Sequence, residues 1–132
     1  MKRTVFLYVA TLIVMVPLDI LFLGYLARGF FQSQVGDMLG TIKPVPAIAF
    51  YLMYAAGILV FVSAAESATI RSALIYGALF GLFAYATFDL TTLAVLRHWT
   101  WPVAFVDVAW GSFVTAVSAA AGLAIANALT RA

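Results

Sequence analysis

The stretch that decides the fold is residues 72–96, which read SALIYGALFGLFAYATFDLTTLAVL. It is apolar almost throughout and carries one charged residue, Asp89. A helix needs about 20 mostly apolar residues to cross the hydrocarbon core of a bilayer. Three further stretches meet this requirement, at residues 4–27, 45–65 and 103–128. The sequence therefore predicts an all-α integral membrane protein, a four-helix bundle in up-down-up-down order, with residues 1–132 in a single transmembrane domain.

The composition excludes several other classes of protein. Hydrophobic residues make up 66% of the chain and charged residues 9%, against about 45–50% and about 25% in soluble domains. So few charges cannot cover a water-facing surface, and they do not form the clustered basic face that nucleic-acid binding requires. The chain has no cysteine, which excludes disulfides and thiolate chemistry. We therefore expect membrane lipids around the protein and no nucleic-acid partner.

The lysines and arginines at the span ends favour one orientation in the membrane. With the N-terminus in the cytoplasm, four of them lie inside, namely Lys2, Arg3, Arg71 and Arg131. The other three lie outside, namely Arg28, Lys43 and Arg97. Basic residues are enriched on the cytoplasmic side of membrane proteins, so we expect both termini to be cytoplasmic.

The connection between the first two spans is the longest of the three. Its residues 29–39 mix apolar and polar side chains at roughly helical spacing. One interpretation is a short helix that lies in the membrane interface and covers the outer mouth of the bundle. The other is a loop whose apolar side chains touch lipid.

The chain also contains a faint internal duplication. Residues 19–28 resemble residues 89–97, and the spans that follow these segments align as well. The aligned pairs are Pro46 with Pro102, Tyr51 with Asp107, and Tyr54 with Trp110. Both hairpins begin on the same side, which predicts a parallel repeat about an axis along the membrane normal. The alternative is chance similarity between two apolar sequences.

Three acidic residues lie within the predicted spans, where no lysine or arginine occurs: Asp19, Asp89 and Asp107. Each charged side chain at the bilayer centre costs about 2.5–3.5 kcal/mol, and such residues usually serve a function. Counted from the outer ends of their spans, the three lie five to nine residues deep. At about 1.5 Å per residue this is a common depth of roughly 8–14 Å, so we expect the carboxyl groups to converge.

Aromatic and hydroxyl side chains share the faces or the depth of these acids. Tyr85 and Thr92 lie four residues before and three residues after Asp89, on one helix face. Trp110 follows Asp107 by three residues, and the second span places two tyrosines at the same depth. The predicted ligand or proton site comprises Asp19, Tyr51, Tyr54, Tyr85, Asp89, Thr92, Asp107 and Trp110.

Three ionised carboxylates without a cation are costly in a bilayer. They are accommodated if at least one is protonated, if a cation occupies the site, or if hydroxyl and indole groups bond to them between helices. We expect Asp89 to be the neutral member. The acids show no paired ligand spacing on one helix face, so we predict no metal site, and no cofactor motif is present.

Three blocks carry a resemblance to a known family: PLDILFLG at 17–24, FDLT at 88–91 and DVAWG at 107–111. They resemble a family of small bacterial predicted membrane proteins known as domain of unknown function 2177. The resemblance extends over essentially the whole chain in length and in the order of the blocks. It implies four spanning helices and a bacterial source, hence the inner membrane. It brings no established activity and no role for any residue.

Three functions fit these features, and whether the protein is an enzyme stays open. The first is binding or transport of a small cationic or proton-coupled amphipathic ligand, held by carboxylates and aromatic faces. A transporter of four helices is expected to be a homodimer. The second is an intramembrane acid–base enzyme acting on a lipid or isoprenoid. The third is an accessory subunit whose aspartates join helices. An outward mouth favours transport, a lateral mouth favours the enzyme, and a closed bundle favours the subunit.

Overall fold

A computed structural model describes residues 2–36 and 43–131 of the chain. Within these residues the secondary structure is helical, and four helices are long and apolar enough to cross a membrane. They cover Lys2–Leu26, Pro44–Ser63, Ile70–Val95 and Trp101–Thr130. The predicted four-span architecture is confirmed, with ends that differ from the predicted ones by a few residues.

Within residues 2–36 and 43–131, five α-helices and two π-helical turns make up these spans and the helical part of their connections. The α-helices are α1 (Lys2–Leu21), α2 (Arg28–Val35), α3 (Pro44–Ile58), α4 (Ile70–Val95) and α5 (Trp101–Arg131). A π-helical turn extends α1 over Phe22–Leu26, and a second extends α3 over Leu59–Ser63.

The connection between the first two spans contains the short helix α2, as the helical interpretation of residues 29–39 predicts, whereas its position in the membrane interface stays a prediction. Residues 37–39 of that segment lie outside the described part of the chain. Val35 of α2 is fully buried. Thr100 Oγ1 donates a hydrogen bond of 3.0 Å to Gln34 Oε1, which attaches α2 to the residue just before α5. We call the end of the bundle that carries α2 the α2 end.

The opposite connection is a tight turn that ends in a capping box. Thr69 precedes α4, and its Oγ1 accepts a hydrogen bond of 3.0 Å from the backbone N–H of Ser72. Ser72 Oγ in turn accepts one of 2.8 Å from the backbone N–H of Thr69. Two N–H groups at the start of the helix are thereby satisfied, which fixes where α4 begins.

Helix α5 is the centre of the bundle, because α1 and α4 both pack along it. Small residues bring α4 close to α5. A Cβ placed on Gly77 would lie 2.9 Å from the Cα of Ala116, and one on Gly81 would lie 2.7 Å from Thr115 Oγ1. Such close backbone approach is the usual basis of helix association in lipid, where helices gain no hydrophobic stabilisation from meeting one another.

Helix α3 is held differently. It packs on α1, and its π-helical turn contacts α4 and α5. Closer to the α2 end, large rings stand between α3 and α4. The Phe80 ring of α4 packs against the Tyr54 ring of α3 with a centroid distance of 5.3 Å. Glycines allow α4 to approach α5 closely, whereas aromatic rings keep α4 apart from α3. Space therefore remains between α3 and α4.

Side chains are distributed as expected for a bundle surrounded by lipid. Large apolar side chains are on the outside: Phe61, Phe83 and Phe105 are 72%, 68% and 69% exposed. Small and hydroxyl side chains are buried between the helices, among them Ala73, Thr115, Ser118, Ala119 and Ala126. Lipid tails solvate large apolar groups as well as the protein interior does, so packing selects small residues for the interior.

Candidate functional site

A cavity of about 530 Å³ lies among α1, α3, α4 and α5 in the half of the bundle nearest α2. Ligand pockets typically measure about 300–1,000 Å³. Six of the predicted site residues line it: Asp19, Tyr51, Tyr54, Tyr85, Asp107 and Trp110. The remaining lining residues are apolar: Leu23, Pro46, Ala47, Phe50, Ala84 and Phe88. Two carboxyl groups thus face a cavity whose other walls are aromatic or aliphatic.

Asp19 joins three helices through its two carboxylate oxygens. Tyr51 of α3 donates its hydroxyl to Oδ2 at 2.8 Å. Trp110 of α5 donates its indole N–H to Oδ1 at 2.7 Å. Asp19 itself is 3% exposed. Two short hydrogen bonds to a buried carboxyl fix its position and compensate part of the loss of hydration.

Trp110 is in turn fixed by an aromatic contact that leads to α2. Its ring stacks on Phe22 with a centroid distance of 4.1 Å and an angle of 4°. Phe22 meets Phe31 of α2 edge-on at 6.5 Å. A continuous series of contacts therefore connects α2 with the carboxyl group of Asp19.

Tyr54 and Tyr85 close the cavity toward the middle of the bundle. Their rings meet edge-on at 6.0 Å. The hydroxyl of Tyr54 shares a hydrogen bond of 2.8 Å with Thr115 Oγ1 of α5. The Tyr85 ring lies directly against Gly111, where any side chain would collide with it. Gly111 therefore allows Tyr85 to occupy its place in the cavity wall.

Asp107 and Asp89 form a second carboxyl site behind this wall. The two side chains are within hydrogen-bonding contact, and Asp107 also interacts electrostatically with Asp19. Asp89 is fully buried, and its Oδ2 has no N–H or hydroxyl donor among the described residues. Asp89 does not line the cavity but reaches it through Asp107, so the structure brings the three predicted acids together.

The contacts Asp19–Tyr51 and Asp89–Asp107 occupy matching positions of the faint duplication. Asp19 aligns with Asp89, and Tyr51 aligns with Asp107. In each hairpin the first helix provides an acid that bonds to the aligned residue of the second helix. A common origin of the two hairpins stays a prediction.

Trp99 is a member of the site that sequence reasoning missed. Its position just beyond a span is typical of a membrane-interface anchor. Its indole N–H donates instead to Asp89 Oδ1, at 3.3 Å. The chain reverses direction between α4 and α5, and this reversal brings Trp99 back to Asp89. The spacing of the two residues in the sequence gives no indication of the contact. Thr92, the remaining predicted residue, does not line the cavity.

The cavity opens on the side of the bundle. Leu23, Phe50 and Phe88 line it and are also 46%, 38% and 55% exposed. Phe88 lies seven residues before the end of α4, well inside its span. At Phe88 the cavity lining is therefore exposed on the side of the bundle, at a depth where lipid chains are expected.

The lining combines acidic and aromatic side chains. Among residues 2–36 and 43–131, no group of three or more histidine, aspartate or glutamate side chains is placed to hold a metal. Six aromatic rings line the cavity beside the two carboxyl groups, and the faces of such rings attract cations. The Asp89–Asp107 contact adds a position at which a proton can be held.

Comparison with known proteins identifies the family of the chain. No curated protein and no solved structure matches the chain significantly. The family described as Predicted membrane protein (DUF2177) matches residues 4–124, nearly the whole length, and confirms the resemblance seen in the three sequence blocks. That match and the four spans agree, and the chain belongs to the DUF2177 family of membrane proteins.

Proposed function

We propose that the protein binds a small amphipathic ligand with a cationic head group, which it takes from the surrounding lipid. The observation that carries this proposal is the placement of Asp19 and Asp107 in a cavity otherwise lined by aromatic and aliphatic side chains. Within a membrane span such carboxyl groups are costly unless something neutralises them. A cationic head group does so, and the apolar walls accept the rest of the ligand.

The carboxyl group of Asp19 has acceptor capacity left for a ligand. An ionised carboxylate offers about four lone-pair positions. Tyr51 and Trp110 use two of them. The remaining positions suit the N–H groups of an amine or simple electrostatic contact with a quaternary cation. The tyrosine and phenylalanine rings beside them add cation–π attraction, which is strong where water is excluded.

The lateral mouth supports a ligand that is dissolved in the bilayer. An apolar tail passing between α3 and α4 would stay in contact with lipid, while the head group enters the cavity. Passage of a polar solute through the bundle would need a mouth beyond the helix ends. Binding from lipid is therefore better supported than transport.

Equilibrium dialysis of tetraphenylphosphonium against the protein in phospholipid nanodiscs tests the proposal, with empty nanodiscs as the blank. We expect saturable binding that falls at least tenfold in Asp19→Asn and in Asp107→Asn. Glu66→Gln is the matched control, because Glu66 is an exposed acid in the turn between α3 and α4. Tetraphenylborate has the same shape and the opposite charge. Equal binding of the two ions, or unchanged affinity in both Asp variants, would overturn the proposal.

An acid–base enzyme acting on a lipid or isoprenoid is the second candidate. Two observations favour it: the lateral mouth, and the contact of Asp107 with a second carboxyl group. Asp107 would donate a proton to a double bond and Asp19 would accept one. Incubation of the nanodiscs in D2O with farnesol tests it by mass spectrometry. Carbon-bound deuterium whose formation requires Asp107 would support the enzyme. Absence of carbon-bound deuterium would reject the enzyme and retain ligand binding as the proposed function.

The location we propose is the bacterial inner membrane, with both termini in the cytoplasm. The distribution of lysine and arginine supports it. The α2 end and the mouth of the cavity would then face the outer leaflet. Fusion of green fluorescent protein or alkaline phosphatase to the C-terminus tests the orientation, since the first is active in the cytoplasm and the second outside it. Phosphatase activity would reverse the assignment.

A further inference from the structure

Asp89 and Asp107 can form a hydrogen bond with each other only if one of the two carboxyl groups is protonated. An ionised carboxylate only accepts hydrogen bonds, whereas a protonated carboxyl donates one. Two ionised side chains in this contact would set acceptor against acceptor in a buried place. Asp89 Oδ2 has no N–H or hydroxyl donor among the described residues to relieve this. One proton between the two groups converts the contact into an O–H···O⁻ hydrogen bond, a short and strong type.

The position of the pair connects this proton with the ligand cavity. Asp107 lines the cavity, whereas Asp89 is fully buried behind it and bonded to Trp99. A cation that enters the cavity therefore meets one member of the pair. It also meets Asp19, which interacts with Asp107.

We infer that Asp89 and Asp107 hold one shared proton, and that a cationic head group entering beside Asp107 displaces it, so that the site exchanges a cation for a proton. The exchange rests on the proposed binding function, whereas the shared proton does not. When the cation binds, the O–H bond of the pair breaks and its electron pair stays on oxygen. The proton passes to water, and the incoming positive charge replaces the one that leaves.

The other titratable groups around the cavity do not supply this proton in the same way. They are Asp19 from α1, Tyr51 and Tyr54 from α3, and Tyr85 from α4. Asp19 already receives two hydrogen bonds, so its contacts need no proton of its own. The described lysines and arginines lie at the span ends or in the connections. The Asp89–Asp107 pair is thus the place where the geometry itself requires a proton.

Infrared spectroscopy of the ligand-free protein tests the shared proton. At neutral pH we expect the carbonyl-stretch band of a protonated carboxyl group. The band should be lost or shifted in Asp89→Asn and in Asp107→Asn, and retained in Asp19→Asn and Glu66→Gln. Trp99→Phe provides a further variant if an Asn variant fails to fold, since loss of the bond to Asp89 Oδ1 should shift the same band. Absence of the band, or a band that depends on one aspartate alone, would overturn the shared proton.

Calorimetry tests the exchange. Titration of tetraphenylphosphonium in two buffers of different ionisation enthalpy should show release of about one proton per cation. Below the pH at which the pair loses its proton, the proton competes with the cation. Affinity should therefore rise with pH, by about tenfold per unit, and level off once the pair is ionised. Binding without proton release, together with an affinity independent of pH, would overturn the exchange while leaving the binding function intact. Absence of binding would overturn the binding function, while the infrared result still decides the shared proton.

Discussion

Trp110 Nε1 lies 2.7 Å from Asp19 Oδ1, in a hydrogen bond that joins α5 to α1 across the cavity wall. The same indole ring stacks on Phe22 at 4.1 Å. Trp110 is thus held by its N–H on one side and its ring face on the other. Substitutions can therefore test the hydrogen bond to Asp19 and the ring contact with Phe22 separately.

Replacement of Trp110 by phenylalanine should preserve ring contact with Phe22 but remove the donor to Asp19. Interhelical hydrogen bonds in membrane proteins contribute about 0.6 kcal/mol on average and at most about 1.7 kcal/mol. We expect the substitution to lower the free energy of unfolding, measured by titration with sodium dodecyl sulfate, by an amount within that range. Trp101→Phe is the control, because Trp101 is 60% exposed. An equal effect of both substitutions would contradict a special role of the bond.

Tyr51→Phe should act on the same carboxyl group and therefore interact with Trp110→Phe. Each single substitution leaves one donor on Asp19, whereas the double variant leaves a buried carboxyl without either. We expect the two losses of unfolding free energy to be non-additive by about 0.5–3 kcal/mol, as for residues in one hydrogen-bond network. Tyr25→Phe on an exposed tyrosine serves as the control. Strict additivity would show that the two bonds are independent.

Gly111→Ala should destabilise the bundle and disturb the cavity. A Cβ at this position would overlap the ring of Tyr85, so the ring must move from its place. Overpacking of this kind typically costs about 1–3 kcal/mol. Gly24→Ala is a matched control, since no atom lies within 4 Å of the added Cβ. Unfolding titrations of the two variants check the difference, and similar stability would count against close packing at Gly111.

A spin label at Ala47 should report occupancy of the cavity. The chain has no cysteine, so Ala47→Cys gives a single labelling site in the cavity wall. Tetraphenylphosphonium should restrict the motion of a nitroxide there, as seen in its electron paramagnetic resonance spectrum. The same label at Phe105→Cys, on the exposed surface of α5, should not respond. A response at both positions would indicate that the ion merely partitions into lipid.

The sequence predicted the spans because span length is a one-dimensional property. Apolar stretches such as residues 72–96 are long enough to cross a bilayer whatever they pack against. The depth of Asp19, Asp89 and Asp107 likewise follows from the rise per residue along a helix axis. Lipid and protein interior are equally apolar, however, so the hydrophobic pattern does not tell which side of α4 or α5 faces inward.

The tertiary structure alone decided which groups face the cavity. Asp89 and Thr92 share a helix stripe with Tyr85, yet only Tyr85 lines the cavity, because Gly111 allows its ring to pack against α5. Trp99 reaches Asp89 through the reversal of the chain after α4. Space remains between α3 and α4 because glycines bring α4 to α5 while Phe80 stands between α4 and α3. The sequence alone determined the number of spans and the depth of the acids. Packing determined how each helix is rotated about its axis, because that rotation depends on which side chains of different helices come into contact.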